Sequence, residues 1–229
     1  MRTLNIDIET FSSVDIGKSG AYKYAMSDDF QILLFAYSVD GQDVKIIDLV
    51  QGESIPEEVL ELLKDEACIK YAYNAIFEWW CLNMAGLETP LKQWHCTMVH
   101  GLYCGYTAGL AAIGNIMGLP QDKKKLTTGS ALIRYFCIPC KATKSNGNRT
   151  RNLPQHAPEK WQLFKEYCMQ DVVTEMEIGR RLSCFPVPER EWKLWVLDTF
   201  MNAYGVKVDS NTPPGTYRAY LVYSAVVNS

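Results

Sequence analysis

Alternating polarity near the start of the chain constrains the fold more strongly than any other feature. Polar and apolar residues alternate over residues 3–9, which is the period of a β-strand. Asp7 and Glu9 are two residues apart, so both carboxylates are expected on one face of that strand. Neighbouring carboxylates repel each other unless a cation neutralises them or one stays protonated. This face therefore meets a metal ion if the strand is central, or water if it is an edge strand.

Strand patterns come first along the chain, and helix patterns dominate afterwards. Further strands are predicted at 31–39, 44–49 and 69–73, and the first three strands are expected to form an antiparallel meander. Helices are predicted at 56–66, 75–85, 109–117, 128–137, 158–183 and 189–204. This order predicts a mixed α/β fold in layers. Residues 138–158 form the longest irregular segment, which is typical of a functional or mobile loop.

Composition limits the class of protein. The chain has 229 residues, of which 48% are hydrophobic and 21% are charged, as in ordinary globular proteins. No segment approaches the roughly 20 continuous apolar residues of a membrane helix, and the start lacks a signal-peptide core. The eight cysteines are expected to be free thiols. These features predict a soluble intracellular protein that does not associate with membranes.

The charge is distributed unevenly along the chain. Residues 123–158 contain eight basic residues and no acidic residue, whereas the rest of the chain has 15 basic and 26 acidic residues. An acidic body with one basic segment fits a protein that binds a polyanion locally. A solvated loop with an excess of lysine explains the same pattern equally well.

Two more segments carry side chains that could join the carboxylates of the first strand. Asn74, Phe77 and Glu78 lie where a predicted buried strand passes into a helix. Tyr167 and Asp171 are four residues apart on the long helix predicted at 158–183, so they share one face. Taken singly, Glu78 could be a carboxylate that stabilises a helix N-terminus, and the tyrosine could belong to an ordinary amphipathic helix.

The three segments together, in this order, resemble the three exonuclease motifs of the DEDD superfamily. The tyrosine marks the Y-type branch, as in the proofreading domain of family A DNA polymerases, and Glu166 stands where the histidine branch would have its histidine. The resemblance covers residues 3–183 and is closest to phage-type polymerases. Lys124-Lys125, residues 129–133 and residues 149–154 add to it. One departure is Glu78, because this position is usually Asp in the family.

The resemblance implies a ribonuclease-H-like fold with a mixed central sheet flanked by helices. It divides the chain into an exonuclease domain at 1–185 and a helical appendage at 186–229. Residues 189–209 of the appendage, including Asp209, look like the start of a linker to a polymerase domain, and nothing after Ser210 matches the family. A monomer in the cytoplasm of a bacterial or phage-infected cell is expected.

The implied activity is 3′–5′ exonuclease hydrolysis at the 3′ end of single-stranded DNA. Two divalent ions, Mg²⁺ or Mn²⁺, would balance the negative charge of four carboxylates, with Asp7 bridging both ions. Tyr167 would orient the attacking water with help from Glu9, because tyrosine is a better positioner than base at neutral pH. The residues expected to hold metal are Asp7, Glu9, Glu78 and Asp171.

The resemblance also implies which residues contact DNA. Thr10 and Asn74 match positions that contact the terminal nucleotide, and Phe77 is expected to pack behind the site. Four basic residues of the irregular segment are expected to bind backbone phosphates without reading bases. These are Lys141, Lys144, Arg149 and Arg151.

Two other interpretations remain open at the level of sequence. Cys137 and Cys140 form a C-x-x-C pair that could contribute to a zinc site with His95, Cys96 or His100, but zinc needs four converging ligands. The chain could also be a catalytically silent nucleic-acid-binding module that docks onto a separate DNA polymerase.

Overall fold

The structure is a computed structural model that describes residues 2–124 and 129–205. Its centre is a five-stranded sheet with the strand order β3-β2-β1-β4-β5. The strand that carries Asp7 and Glu9 is the central one. The strands are β1 (Thr3–Phe11), β2 (Gln31–Val39), β3 (Lys45–Asp48), β4 (Ile69–Ala72) and β5 (Trp94–Cys96).

The sheet is mixed, because β1 pairs antiparallel with β2 and parallel with β4. The β2–β3 pair is antiparallel and the β4–β5 pair is parallel. The predicted antiparallel meander of the first three strands is therefore confirmed. Asp7 lies opposite Ala36 in this register, and the ladder shifts between Glu9 and Thr10. The two carboxylates are consequently held on an interior strand, and the alternative of a solvated edge strand is wrong.

Eight helices pack around this sheet within the described ranges. All six helices predicted from the sequence are found, with ends that differ by a few residues. The sequence did not reveal β5 or two of the helices. The helices are α1 (Ile16–Ala25), α2 (Glu57–Lys64), α3 (Ile76–Met84), α4 (Thr97–Tyr103), α5 (Leu110–Ile116), α6 (Gly129–Phe136), α7 (Pro158–Leu182) and α8 (Glu189–Tyr204).

The missed elements have weak sequence signals for physical reasons. Helix α1 contains Gly20 at φ 75°, which interrupts the helix, and few of its residues are buried. Helix α4 has only seven residues and β5 only three, so neither offers enough repeats to establish a period. Both elements are buried in places by the rest of the molecule, which supplies the stability that their own patterns lack.

The two faces of the sheet bury separate apolar clusters. Ile6 and Phe35 face a cluster that includes α2 and α3. Leu34 and Val172 belong to a second cluster, which α6 and α7 complete on the opposite face. Helix α7 therefore packs on the face of β1 that carries Asp7, because the apolar even-numbered residues of β1 turn to the other cluster.

The structure describes the first part of the predicted appendage, up to residue 205. Helix α8 packs on the body of the fold, where the ring of Trp192 stacks on His95 with a centroid distance of 4.4 Å and an interplanar angle of 6°. Residues 206–229, including Asp209, lie outside the described residues, as does Lys125. No helix in the described ranges is long and apolar enough to cross a membrane.

The segment between α6 and α7, residues 137–157, is called the basic loop below. It contains two short 3-10 turns, Lys144–Asn146 and Pro154–His156. The rest of the segment has no helix or strand, as predicted. Its base is fixed by a hydrogen bond from the Cys140 amide to the Thr150 carbonyl, at 2.8 Å.

Candidate active site

The first part of the site is the face of β1 that meets α7. Asp7, Glu9 and Cys168 each offer one possible metal-ligating atom, and these atoms all lie within 4.8 Å of one another. The thiol of Cys168, on α7, is 3.4 Å from Asp7 Oδ2 and donates to it. Among the described residues no other group of three or more such side chains converges in this way.

The second part is the inward face of α7. Tyr167 and Asp171 lie one turn apart, as the spacing predicts, and both are buried, with exposed fractions of 3% and 5%. The tyrosine ring packs parallel to Phe164 at 6.3 Å. It also lies against Gly129, the first residue of α6, where an added Cβ would be 1.9 Å from a ring carbon. The glycine therefore leaves the space that the ring occupies.

The third part is the junction between β4 and α3. Asn74 adopts a left-handed backbone conformation at φ 69°, which asparagine tolerates better than most residues, and its carbonyl accepts from the Phe77 amide. The chain thereby turns directly from the strand into the helix. Glu78 follows in the first turn of α3, with an exposed fraction of 3%.

The carboxylate of Glu78 is held in an unusual environment. Burial and the nearby charge of Asp7 raise its pKa well above the ordinary value, and Glu175 and Asp171 add to this effect. Its Oε2 atom accepts no hydrogen bond from any residue in the described ranges. A buried oxygen of this kind is costly unless a partner satisfies it.

Tyr167 and Cys168 share the same electrostatic environment. Burial raises the pKa of the tyrosine hydroxyl far above its usual value, and the charges of Asp171, Glu9 and Asp7 raise it further. Burial and the charge of Asp7 likewise raise the pKa of the Cys168 thiol. Both groups are therefore neutral hydrogen-bond donors at neutral pH.

Four carboxylates from three elements thus lie near enough for their charges to act on one another or on Tyr167, and this group is called the acidic site below. Asp7, Glu9, Glu78 and Asp171 supply hard oxygen donors, which suit Mg²⁺ or Mn²⁺. The unsatisfied oxygen of Glu78 is one that a cation would satisfy. The residues present therefore fit a divalent metal centre.

The residues expected to contact the terminal nucleotide lie beside the acidic site. The hydroxyl of Thr10 is buried and hydrogen-bonds to the hydroxyl of Tyr24 at 2.8 Å. The ring of Phe77 is half-buried and lies 6.1 Å from that of Tyr24. Asn74 is exposed, so only this residue of the three has a largely accessible side chain.

The four basic residues of the loop fall into two pairs. Lys141 and Lys144 are exposed. Arg149 donates to Asn152 Oδ1 at 2.8 Å and to the Asn146 carbonyl at 3.0 Å, which fixes the fold of the loop. Arg151 is held in the same way by the body of the protein: it donates to Gln31 Oε1 at 2.7 Å, and its guanidinium lies 3.9 Å above the Phe11 ring.

The zinc interpretation of the cysteine pair is wrong for the described residues. The thiol of Cys137 is 3.8 Å from Glu9 Oε2, whereas that of Cys140 lies against the Arg149 carbonyl at 3.5 Å. His95 stacks on Trp192 instead of joining them. All eight cysteines are free thiols, as predicted.

Sequence reasoning missed a buried acid on the same helix as Tyr167 and Asp171. Glu175 lies one turn beyond Asp171 on α7 and has an exposed fraction of 3%. It accepts hydrogen bonds from Asn5, at 2.7 Å, and from Thr97. Its spacing of four residues from Asp171 places it on the same helix face and could have identified it.

Comparisons with known proteins relate the chain to a phage DNA polymerase. No protein-family model matches the chain. A DNA polymerase of Bacillus phage SP02 is 51% identical over 210 residues, which are 91% of this chain and 32% of the polymerase. The chain therefore spans about a third of the length of this curated relative.

Solved structures share the fold at low sequence identity. The apo form of a nuclease is 12% identical with a TM-score of 0.53, and 92% of this chain and 90% of the nuclease are covered. Brucella melitensis NrnC is 16% identical with a TM-score of 0.55, at the same coverage of 92% and 90%. The mixed sheet flanked by helices is a ribonuclease-H-like fold, as expected from the sequence.

Proposed function

We propose that this chain is a metal-dependent 3′–5′ exonuclease of the DEDD Y-type, which hydrolyses phosphodiester bonds at the 3′ end of single-stranded DNA. One observation carries the proposal: buried carboxylates from β1, α3 and α7 converge beside a buried tyrosine. Such a cluster of negative charge is stable only if cations or protons compensate it. The likeness to a phage DNA polymerase and to a nuclease supports the same activity.

Asp7, Glu9, Glu78 and Asp171 would hold two divalent ions, Mg²⁺ or Mn²⁺. When bound, the ions would stabilise the negative charge that develops on the attacking and leaving oxygens of the phosphodiester. Asp7 adjoins Glu9 and Cys168, and its charge raises the pKa of Glu78, so Asp7 would contribute to holding both ions.

Tyr167 would orient the attacking water, together with Glu9. Its hydroxyl stays protonated because its pKa is strongly raised, so it donates a hydrogen bond and does not accept the proton of the water. Burial behind Gly129 and Phe164 holds the ring in place. Water is thereby positioned by a group whose geometry the fold has already set.

The DNA strand would enter beside Asn74 and leave along the basic loop. Asn74 and Thr10 would contact the terminal nucleotide, and Phe77 would pack behind it. Lys141 and Lys144 are exposed and free to bind backbone phosphates. Arg149 and Arg151 would contribute to the same positive surface from the inner side of the loop.

The biological setting is part of the same proposal. The identity of 51% to a phage DNA polymerase supports a proofreading role in DNA replication, in the cytoplasm of a bacterial or phage-infected cell. The segment 1–185 would be the exonuclease domain and 186–229 the start of a connection to polymerase sequence. The protein would act as a monomer, either joined to or docked on a DNA polymerase.

A direct experiment incubates single-stranded DNA, labelled at its 5′ end, with the protein and Mg²⁺ or Mn²⁺. We expect a ladder of products that shorten from the 3′ end and that EDTA abolishes. Asp7→Ala should abolish the ladder, and Glu66→Ala, which removes an exposed acid, should leave it unchanged. Unchanged shortening by Asp7→Ala would contradict the proposal. Binding of DNA without shortening would instead support the silent module that docks onto a polymerase.

A further inference from the structure

The buried acid Glu175 is outside the group to which the proposed mechanism gives a role. Its Oε2 atom accepts from Asn5 Nδ2 at 2.7 Å, and its Oε1 atom accepts from the hydroxyl of Thr97. The donors belong to β1 and to the start of α4, so this side chain of α7 joins three elements. Burial raises its pKa, and the two hydrogen bonds oppose that rise.

The hydrogen bond between Asn5 and Glu175 lies next to the acidic site. Its two residues are one repeat away from Asp7 along β1 and from Asp171 along α7. Asn5 precedes Asp7 by two strand residues, a distance of about 6.6 Å. Glu175 follows Asp171 by four helix residues, or about 6 Å along the axis. Since residue numbers fall along β1 as they rise along α7, the two steps run in the same direction, and the Asn5–Glu175 pair stands beside the Asp7–Asp171 pair.

The surroundings of Glu175 combine packed and open parts. Asn5, Thr97 and Glu175 line a cavity of about 790 Å³ between the sheet and the C-terminal half of α7, whereas Ile178 and Leu182 further along the helix pack in an apolar cluster with α5. A gap beside a helix resists a small shift less than a close-packed core does. The hydrogen bonds of Glu175 are therefore specific polar contacts that tie α7 to β1 at this point, in addition to the hydrogen bonds from Cys168 to Asp7.

We propose that Glu175 is a positioning residue, which keeps α7 in register with β1 and so sets the separation between Asp7 and Asp171. This inference rests on the proposed metal-dependent function. Glu175 itself touches neither metal nor substrate in this scheme. Its contribution is to hold two ligands, on separate elements, at the spacing that a divalent ion requires.

Three variants separate hydrogen bonding from charge. Glu175→Leu removes both hydrogen bonds. Glu175→Gln removes the charge but keeps both bonds, if the amide of Asn5 rotates to accept. Asn5→Leu removes the same bond from the side of β1. Glu177→Gln is the matched control, because Glu177 lies two residues further along α7 and pairs at the surface with Arg180 and Arg181.

Mn²⁺ binding to the full chain, measured by titration calorimetry after metal removal, is the main readout. We expect Glu175→Leu and Asn5→Leu each to weaken binding about tenfold, as for other groups that orient ligands. Glu175→Gln should stay within about threefold of the original protein, and Glu177→Gln should not change it. The Mn²⁺ concentration for half-maximal exonuclease activity should rise in the same order.

The outcomes distinguish the inference from the proposed function. If Glu175→Leu lowers only the thermal midpoint and leaves Mn²⁺ affinity unchanged, Glu175 is merely structural and the inference is overturned. If Glu175→Leu does not fold, Asn5→Leu decides by the same comparison. Normal Mn²⁺ binding with the expected variant effects, but without DNA shortening, would refute the exonuclease and leave the positioning role standing. No Mn²⁺ binding to the original protein would overturn both.

Discussion

The acidic site and the basic loop differ in how each holds its charged side chains. Glu78 and Asp171 of the acidic site are buried, at exposed fractions of 3% and 5%, and like charges surround them. Lys141 and Lys144 of the basic loop are exposed. Burial strengthens electrostatic interactions, whereas solvent and salt screen them. Metal and pH should therefore control the first region, and ionic strength the second.

The comparison also separates residues within the basic loop. Arg149 and Arg151 make short hydrogen bonds to the protein itself, whereas the two exposed lysines can turn towards a ligand. A positive segment in a sequence is thus not one uniform surface. Arg149 stabilises the fold of the loop, Arg151 attaches the loop to the sheet, and the two lysines are available to phosphate.

The largest expected effect is the loss of a carboxylate from the acidic site. We expect Asp171→Asn to lower the rate of metal-dependent DNA shortening about a thousandfold, equivalent to about 4 kcal/mol of transition-state stabilisation. Single-turnover kinetics with saturating DNA measure it. Glu177→Gln, on the same helix, is the control and should keep full activity. A change of less than tenfold for Asp171→Asn would break the distinction between buried and surface acids.

A smaller loss is expected when the space beside Tyr167 is filled. Gly129→Ala would place a methyl group against the ring, and a displacement of about 1 Å in a catalytic group costs about a hundredfold in rate. Gly109→Ala is the matched control, because Gly109 has a negative φ and open space around its Cβ position.

The same variant can show whether Gly129 acts through the tyrosine hydroxyl. Tyr167→Phe should itself lower the rate about a hundredfold, since a positioned group of this type contributes at least that much. The double variant combines Gly129→Ala with Tyr167→Phe. If Gly129 serves only to place the hydroxyl, this double variant should be no slower than Tyr167→Phe alone. Additive losses would show that Gly129 has another role.

A third expected effect concerns stability without metal. The pKa of Glu78 is raised in the folded state, so the folded protein binds more protons than the unfolded chain above about pH 4.5. The free energy of unfolding should therefore fall as the pH rises through this window. We expect Glu78→Gln to stabilise the protein in EDTA by about 1 kcal/mol at pH 8 and by less at pH 5.

Urea unfolding at both pH values measures this difference. Glu66→Gln serves as a control acid, since Glu66 lies in an exposed turn away from the acidic site. Equal effects of Glu78→Gln at both pH values would mean that the carboxylate is not kept protonated by its surroundings. Addition of Mn²⁺ should raise the free energy of unfolding of the original protein above that of Glu78→Gln.

The smallest expected effect belongs to the basic loop. Replacing Lys141 and Lys144 together by Ala should lower the dependence of log K on log salt by about 1.4, or 0.7 for each phosphate contact to a single strand. Fluorescence anisotropy with a labelled oligonucleotide, over a range of salt concentrations, measures this slope. Lys18→Ala with Lys64→Ala, which removes two exposed lysines elsewhere, is the control. An unchanged slope would remove the loop from the DNA path.

Periodicity predicted the long elements well because burial repeats along them. Strand β2 was predicted at its observed bounds, and α7 was predicted to within one residue at its end. Helix α1 was missed because Gly20 interrupts it. The hydrogen bond between Asn5 and Glu175 was also missed, since the two residues are 170 positions apart and no local pattern contains that distance.

The amino-acid sequence by itself determined which residue types are present at strand and helix periods: paired carboxylates on β1, a glutamate at a strand–helix junction, and a tyrosine and aspartate one turn apart. Only the tertiary structure decided that these groups lie near one another, that Glu78 has an unsatisfied oxygen and that Arg149 and Arg151 make hydrogen bonds to the protein itself. The physical reason is that periodicity is a property of neighbours in the chain, whereas burial and electrostatic coupling depend on neighbours in space.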